Sequence, residues 1–152
     1  MATRTVTFVV HVATEEVRVP VARARVQRAV EAVLRAERIR NAQVSVTFVT
    51  NRQMAKLNRA HLAHRGPTDV ISFGFAPVAE GAPITGDVYI APAVARRNAI
   101  AHGSGIREEL LRLVVHGTLH VVGHDHPVDH TRYVSPMWRR QERLLQRVLQ
   151  AT

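Results

Sequence analysis

His116, His120 and His126 are the residues of this chain whose types and spacing could do chemistry. They stand in the run His116-Gly117-Thr118-Leu119-His120-Val121-Val122-Gly123-His124-Asp125-His126. Residues four apart share one side of a helix, so His116 and His120 can aim both imidazoles at one ion. Gly123 can adopt the left-handed backbone that stops a helix and turns the chain back. That turn would bring His126 from outside the helix as a third nitrogen ligand. Three protein ligands leave the fourth position of a tetrahedral zinc open, which is the arrangement of a catalytic site.

The register needs an argument, because His120/His124 and His126/His130 are also four apart. The apolar stretch from Leu110 to His116 is helical in pattern and continues through Leu119 to Val122. His116 and His120 lie inside it, whereas His124 follows the turn at Gly123. His130 is an outside candidate for a fourth ligand, with a solvated loop histidine as the simpler reading. The bland alternative for the trio is a set of histidines that merely belongs to a stabilising helix. A lone histidine would be read that way, but three in this pattern point to a metal.

The same spacing equals the H-E-x-x-H-x-x-G-x-x-H signature of metzincin proteases. Those enzymes use the Glu after the first His as general base. Gly117 occupies that position here and can neither take nor give a proton, so peptidase activity by that route is not expected.

The form H-G-x-L-H-x-x-G-x-D-H instead resembles the YbeY family of bacterial metal-dependent endoribonucleases and rRNA-maturation factors. Every fixed position of that pattern is filled, from His116 and Gly117 to Asp125 and His126. Leu57-Asn58, followed after eight residues by Pro67-Thr68-Asp69-Val70-Ile71-Ser72-Phe73, is similar to a second block of the family. Gly86-Asp87-Val88-Tyr89-Ile90 is similar to a third. The resemblance covers the chain from about Val44 to Leu149. It implies a single-strand-specific endoribonuclease acting in rRNA maturation, at the 3′ end of 16S rRNA, and in ribosome quality control. RNA and ribosomal components would then be the partners, in the cytoplasm.

One departure touches the mechanism. Members of the family usually carry an Arg at the position that Leu62 occupies here, and leucine cannot hold a phosphate. Arg59 and Arg65 stand three residues to either side. Either could supply the missing cation, Arg65 more readily because it precedes the Pro67-Thr68-Asp69-Val70 block.

Composition bounds the rest. A chain of 152 residues is expected to form one domain, here a single metallohydrolase domain over residues 1–152, with a core of its own. The formal charge of +9 calls for an acidic partner. Lys56 is the only lysine beside twenty arginines, and Arg grips phosphate bidentately and stacks on bases. A genome favouring Arg codons explains much of that ratio but not the net charge. Only seven aromatic residues occur, so a base-stacking platform of the RNA-recognition-motif kind is not expected, and phosphate contacts should dominate. Absence of cysteine excludes disulfides and thiolate metal sites. The apolar start is too short for a membrane span and shows no signal-peptide cleavage site.

An α+β layout is predicted: a small sheet of about four strands covered by about five helices, one of them the zinc-binding His-x3-His helix. Strands are expected over Thr5–Val12, Gln43–Val49, Asp69–Phe75 and Asp87–Ile90. Helices are expected over Val21–Arg38, Asn51–Ala63 with Thr50 as cap, Ala93–His102, Arg107–Val122 and Pro136–Leu149. Ser135 is a natural N-cap for the last, with Pro136 at its first position.

Roles follow from this layout. His116, His120 and His126 would bind Zn2+ as neutral imidazoles, with nickel or another first-row divalent ion as an alternative. The metal would polarise a phosphoryl oxygen or acidify a bound water, and Arg65 or Arg59 would offset charge building at phosphorus. Asp125 is read as fixing the turn or a histidine orientation, with direct catalysis as the sharper alternative. Thr68-Asp69 would either line the cleft or make an Asx-type turn, and Asp87 would anchor a loop through backbone hydrogen bonds. Arg139, Arg140, Arg143 and Arg147 would form a basic face usable as an RNA-backbone track, extended by Arg96 and Arg97. Two other readings stand beside the nuclease: an RNA-binding ribosome-assembly factor with a structural metal, and a metallopeptidase disfavoured by Gly117.

Overall fold

The computed structural model describes residues 5–62, 68–126 and 130–151, with only the backbone of Leu62 and His130. Strands form where β-branched residues alternate: β1 (Thr7–Thr14), β2 (Asn41–Phe48), β3 (Val70–Phe75) and β4 (Ile84–Ile90). Helices are α1 (Arg23–Ala36), α2 (Asn51–Leu62), α3 (Pro92–His102), α4 (Ile106–Val121) and α5 (Pro136–Gln150). A short 3₁₀ turn over His130–Val134, which the sequence pattern does not announce, precedes α5. The expected layout of four strands and five helices is therefore present.

The sheet runs β1-β2-β4-β3, with β1, β2 and β4 parallel and β3 antiparallel to β4. A strand period of two sends Ala42, Val44, Val46 and Phe48 to one face, where they are buried with Val88 and Ile90. That face meets Val26, Val30, Val33 and Leu34 of α1 and the apolar stripes of α4 and α5. A second, smaller cluster joins Met54 of α2 and Val94 of α3 to Ile71 and Ala91. On the other face Gln43 and His11 reach solvent.

Helix α4 is the central element, packing on β3, β4, α1, α3 and α5. It can lie that close because position 117 is glycine: a Cβ there would sit 2.5 Å from Val88 Cγ1 on β4. This is the physical reason a metzincin-like Glu has no place at Gly117.

Several boundaries differ from expectation for local reasons. β1 runs two residues later than expected because its register pairs Thr7 with Asn41 through to Thr14 with Phe48. α1 stops at Ala36 rather than Arg38, since Arg38 takes a left-handed φ of 59° and the Ile39 N–H closes back on the Leu34 carbonyl at 2.9 Å. β4 starts at Ile84, three residues early, because it pairs with β2 from Ala42 onward. Asp87 therefore lies inside a strand rather than anchoring a loop, and its Oδ1 accepts from Ser45 Oγ at 2.6 Å. Both caps form as expected. Thr50 Oγ1 accepts from the Gln53 N–H at 3.1 Å while Gln53 Oε1 accepts from the Thr50 N–H at 3.0 Å, a reciprocal capping box. Ser135 Oγ accepts from the Trp138 N–H at 3.2 Å.

Candidate metal centre

The last turns of α4 place His116 and His120 one turn apart on the same side, with their Nε2 atoms 3.1 Å apart. Gly123, at φ 106°, turns the chain after the helix, as its position suggests. His126 then returns to the pair, with ring centroids 5.0 Å from His116 and 4.9 Å from His120. One nitrogen of each of the three rings lies within 4.8 Å of the others.

Neighbours fix which nitrogen of each helix histidine faces inward. His116 Nδ1–H donates to Gln141 Oε1 at 2.6 Å, and Gln141 Nε2–H donates to Glu142 Oε2 at 3.0 Å. A carboxylate only accepts, so the Gln141 amide nitrogen must face Glu142 and its oxygen must face His116. His120 Nδ1–H donates to the His124 backbone carbonyl at 2.8 Å. With both protons spent on Nδ1, the two Nε2 atoms keep their lone pairs 3.1 Å apart, a close pair of acceptors that a cation would bridge. Two ligands on a tetrahedral ion with bonds of about 2.0–2.1 Å are themselves about 3.3 Å apart, close to the spacing seen. The residues fit a divalent metal.

Electrostatics point the same way. Burial pushes the His116 pKa down to about 4; the Gln141 bond opposes this, and the neighbouring His120 and His126 rings add to the lowering. His120 is lowered as well, first by burial, against the pull of the His124 carbonyl. Both imidazoles are neutral near pH 7 and keep their lone pairs for a metal.

Beside the trio lies a cleft of about 730 Å³, walled by His116 and His126, by Asp69 and Asn98, and by Arg132, Tyr133 and Trp138. Asp69 lines the cleft, one of the two expectations made for it. Its Oδ1 accepts from the N–H of the next residue, Val70, at 2.8 Å, not from the N–H two residues on that an Asx turn uses. Arg112 reaches the cleft too, but its guanidinium is held by Glu109 at 2.7 Å and Glu142 at 3.1 Å. That network braces Glu142, which in turn holds Gln141.

The other expected site residues are scattered. His124 turns away from the trio to pair with Glu37, which also accepts from Arg140 at 2.9 Å. Arg140 is thereby removed from the proposed basic face, leaving Arg139, Arg143 and Arg147 exposed along α5. Asp125 has a side chain 99% exposed, and its Oδ1 is 3.8 Å from His120 Nδ1, which is already engaged by the His124 carbonyl. Arg59 is exposed on α2 and is not among the described residues lining the cleft. Arg65 and the side chains of Leu62 and His130 lie outside the described residues. Gln141, Arg132, Tyr133 and Trp138 were not expected at the site. Only the helical phase of α5 relative to Ser135 could have flagged the first and last of them.

An α+β fold with a three-histidine, metal-competent cleft defines a metal-binding hydrolase-like class. The chain belongs to the YbeY family: the profile described as Endoribonuclease YbeY matches residues 10–149. Endoribonuclease YbeY of Pelotomaculum thermopropionicum is 38% identical over 127 residues, covering 80% of this chain and 82% of its own length. The Geobacillus kaustophilus protein of the same name is 38% identical over 115 residues, covering 70% of this chain and 72% of its own. A Thermotoga maritima protein of known solution structure shares the fold, with a TM-score of 0.60 at 23% identity over 91% of this chain and 88% of that one. Among the described residues no helix is long and apolar enough to cross a membrane.

Proposed function

We propose that this chain, as one domain over residues 1–152, is a metal-dependent endoribonuclease that cuts single-stranded RNA in rRNA maturation and ribosome quality control. Cytoplasmic location and ribosomal components as partners belong to the same proposal. The observation that carries it is the facing pair of Nε2 lone pairs of His116 and His120, joined by His126 on the wall of a cleft. We assign the three imidazoles as ligands and Zn2+ as the ion, because all-nitrogen tetrahedral ligation suits zinc. Bound there, the ion supplies Lewis acidity toward a phosphoryl oxygen. The chain's own residues do the rest. Gln141 and the His124 carbonyl hold two rings in the ligating tautomer, and Arg132 offers a cation beside His116 for an RNA phosphate. Arg65 and Arg59 remain the candidates for the cation that Leu62 leaves out, and Asp125 is kept as a separate candidate for direct catalysis.

Cleavage of a single-stranded rRNA fragment by metal-stripped, metal-restored and His120→Ala protein tests the proposal. Activity should vanish on stripping, return with zinc, and stay absent in the variant. Leu62 and the exposed position of Arg59 favour one second reading, an RNA-binding assembly factor whose metal is structural. Tight RNA binding with no cleavage by fully metallated protein would select it. The contact of position 117 with Val88 argues against a peptidase.

A further inference from the structure

Seven aromatic side chains occur in the chain, and two of them, Tyr133 and the single tryptophan Trp138, stand on the wall of the metal cleft. Tyr133 is 43% exposed, on the 3₁₀ turn ahead of α5. Its ring is nonetheless held from two directions. Trp138 meets it edge-on, with centroids 4.8 Å apart at 76°, and the Arg132 guanidinium lies 4.8 Å from its centroid while donating to its hydroxyl at 2.6 Å. A tyrosine serving only the core would be covered, and one serving only solubility would not be fixed. Arg132 has no carboxylate partner among the described residues, whereas Arg112, the other arginine of the cleft, is tied to acidic side chains.

We propose that Tyr133 and Trp138, with Arg132, form a nucleobase subsite of the cleft, where an unpaired base of RNA stacks and Arg132 takes an adjoining phosphate. This rests on the RNA-directed reading above and adds a recognition element to it. Every base has a π-face, so the subsite accepts any base. A base inside a duplex is already stacked and cannot enter, so the subsite selects unpaired strands. It is a single stacking position on the cleft wall, with Tyr133 braced edge-on by Trp138, unlike the sheet-borne platform whose absence the aromatic count implies.

Trp138, as the only tryptophan, reports the test directly. The wild-type metal-loaded protein is titrated with a cleavage-resistant phosphorothioate 2′-O-methyl oligouridylate and with an abasic oligomer of equal length and charge. The base-bearing oligomer should perturb Trp138 emission and bind about 5- to 150-fold more tightly, the span expected for stacking one base. Tyr133→Ala should erase that difference with metal content and melting temperature unchanged, and Tyr133→Phe should keep it. Arg132→Gln should weaken both oligomers alike. Equal binding of the two oligomers with silent Trp138 emission overturns the subsite and leaves the RNA reading standing. Failure of the base-bearing oligomer to bind even at low salt overturns both the subsite and the RNA reading.

Discussion

Replacing Gln141 by leucine should weaken metal binding about 10- to 100-fold without unfolding the protein. Gln141 is only 1% exposed, and its amide bridges His116 Nδ1 at 2.6 Å and Glu142 at 3.0 Å. Leucine keeps nearly the same volume but accepts no hydrogen bond. The His116 Nδ1–H would then be left unpaired in a buried place, at a cost of about 1–3 kcal/mol. The ring can escape that cost by moving its proton to Nε2, and in doing so it loses the lone pair that faces His120. Metal binding must pull the proton back, so the cost appears in affinity, consistent with the tenfold to hundredfold typical of a lost outer partner, or about 1.4–2.7 kcal/mol. Competition for zinc against a chromogenic chelator measures the affinity, and nitrogen NMR of the His116 ring in metal-free protein reads the tautomer. Gln141→Glu retains an acceptor and should keep the Nδ1–H form. A folded Gln141→Leu protein that binds zinc as tightly as wild type would refute the reasoning.

Elemental analysis should find metal lost from His120→Ala but retained in His124→Ala, since the latter keeps the backbone carbonyl that orients His120; full metal in the first variant would overturn the site. Gly117→Ala should lower stability by about 1–3 kcal/mol, because the added Cβ overlaps Val88 by far more than helix propensity returns; a raised melting temperature would contradict this. Burial works to raise the Glu37 pKa, but hydrogen bonds from His124 and Arg140 win and set it below its ordinary value of 4.5. A lowered carboxylate stabilises the fold above its unfolded pKa, and that stability is lost as pH falls through the lowered one. Urea unfolding of wild type and Glu37→Gln should therefore converge at acid pH, and a constant difference across pH would reject the linkage. Neutralising the exposed Arg139, Arg143 and Arg147 together should reduce the log–log salt slope of RNA binding by about two, at about 0.7 per phosphate contact on a single strand; an unchanged slope removes this face from the RNA path.

The parts of this protein legible in the sequence are those governed by interactions within one or two turns of chain. His116 and His120 at helical spacing, the left-handed turn at Gly123, and the Thr50 and Ser135 caps all follow from local backbone geometry, and each stands where its pattern places it. Strand alternation likewise yields the four strands, although register shifts their ends, because pairing with a neighbour decides where a strand starts. Tertiary structure alone decided the partners. Gln141 meets His116 across 25 positions of sequence, Glu37 draws Arg140 off the basic face its spacing suggests and gives His124 a partner, and Ser45 claims Asp87 from a strand 42 residues away. Tyr133 and Trp138 line the metal cleft only because α5 packs against α4. Such contacts depend on how helices settle on the sheet. That is set by the fit of Gly117 against Val88 and by the shape of the whole core, and it leaves no periodic trace in the chain.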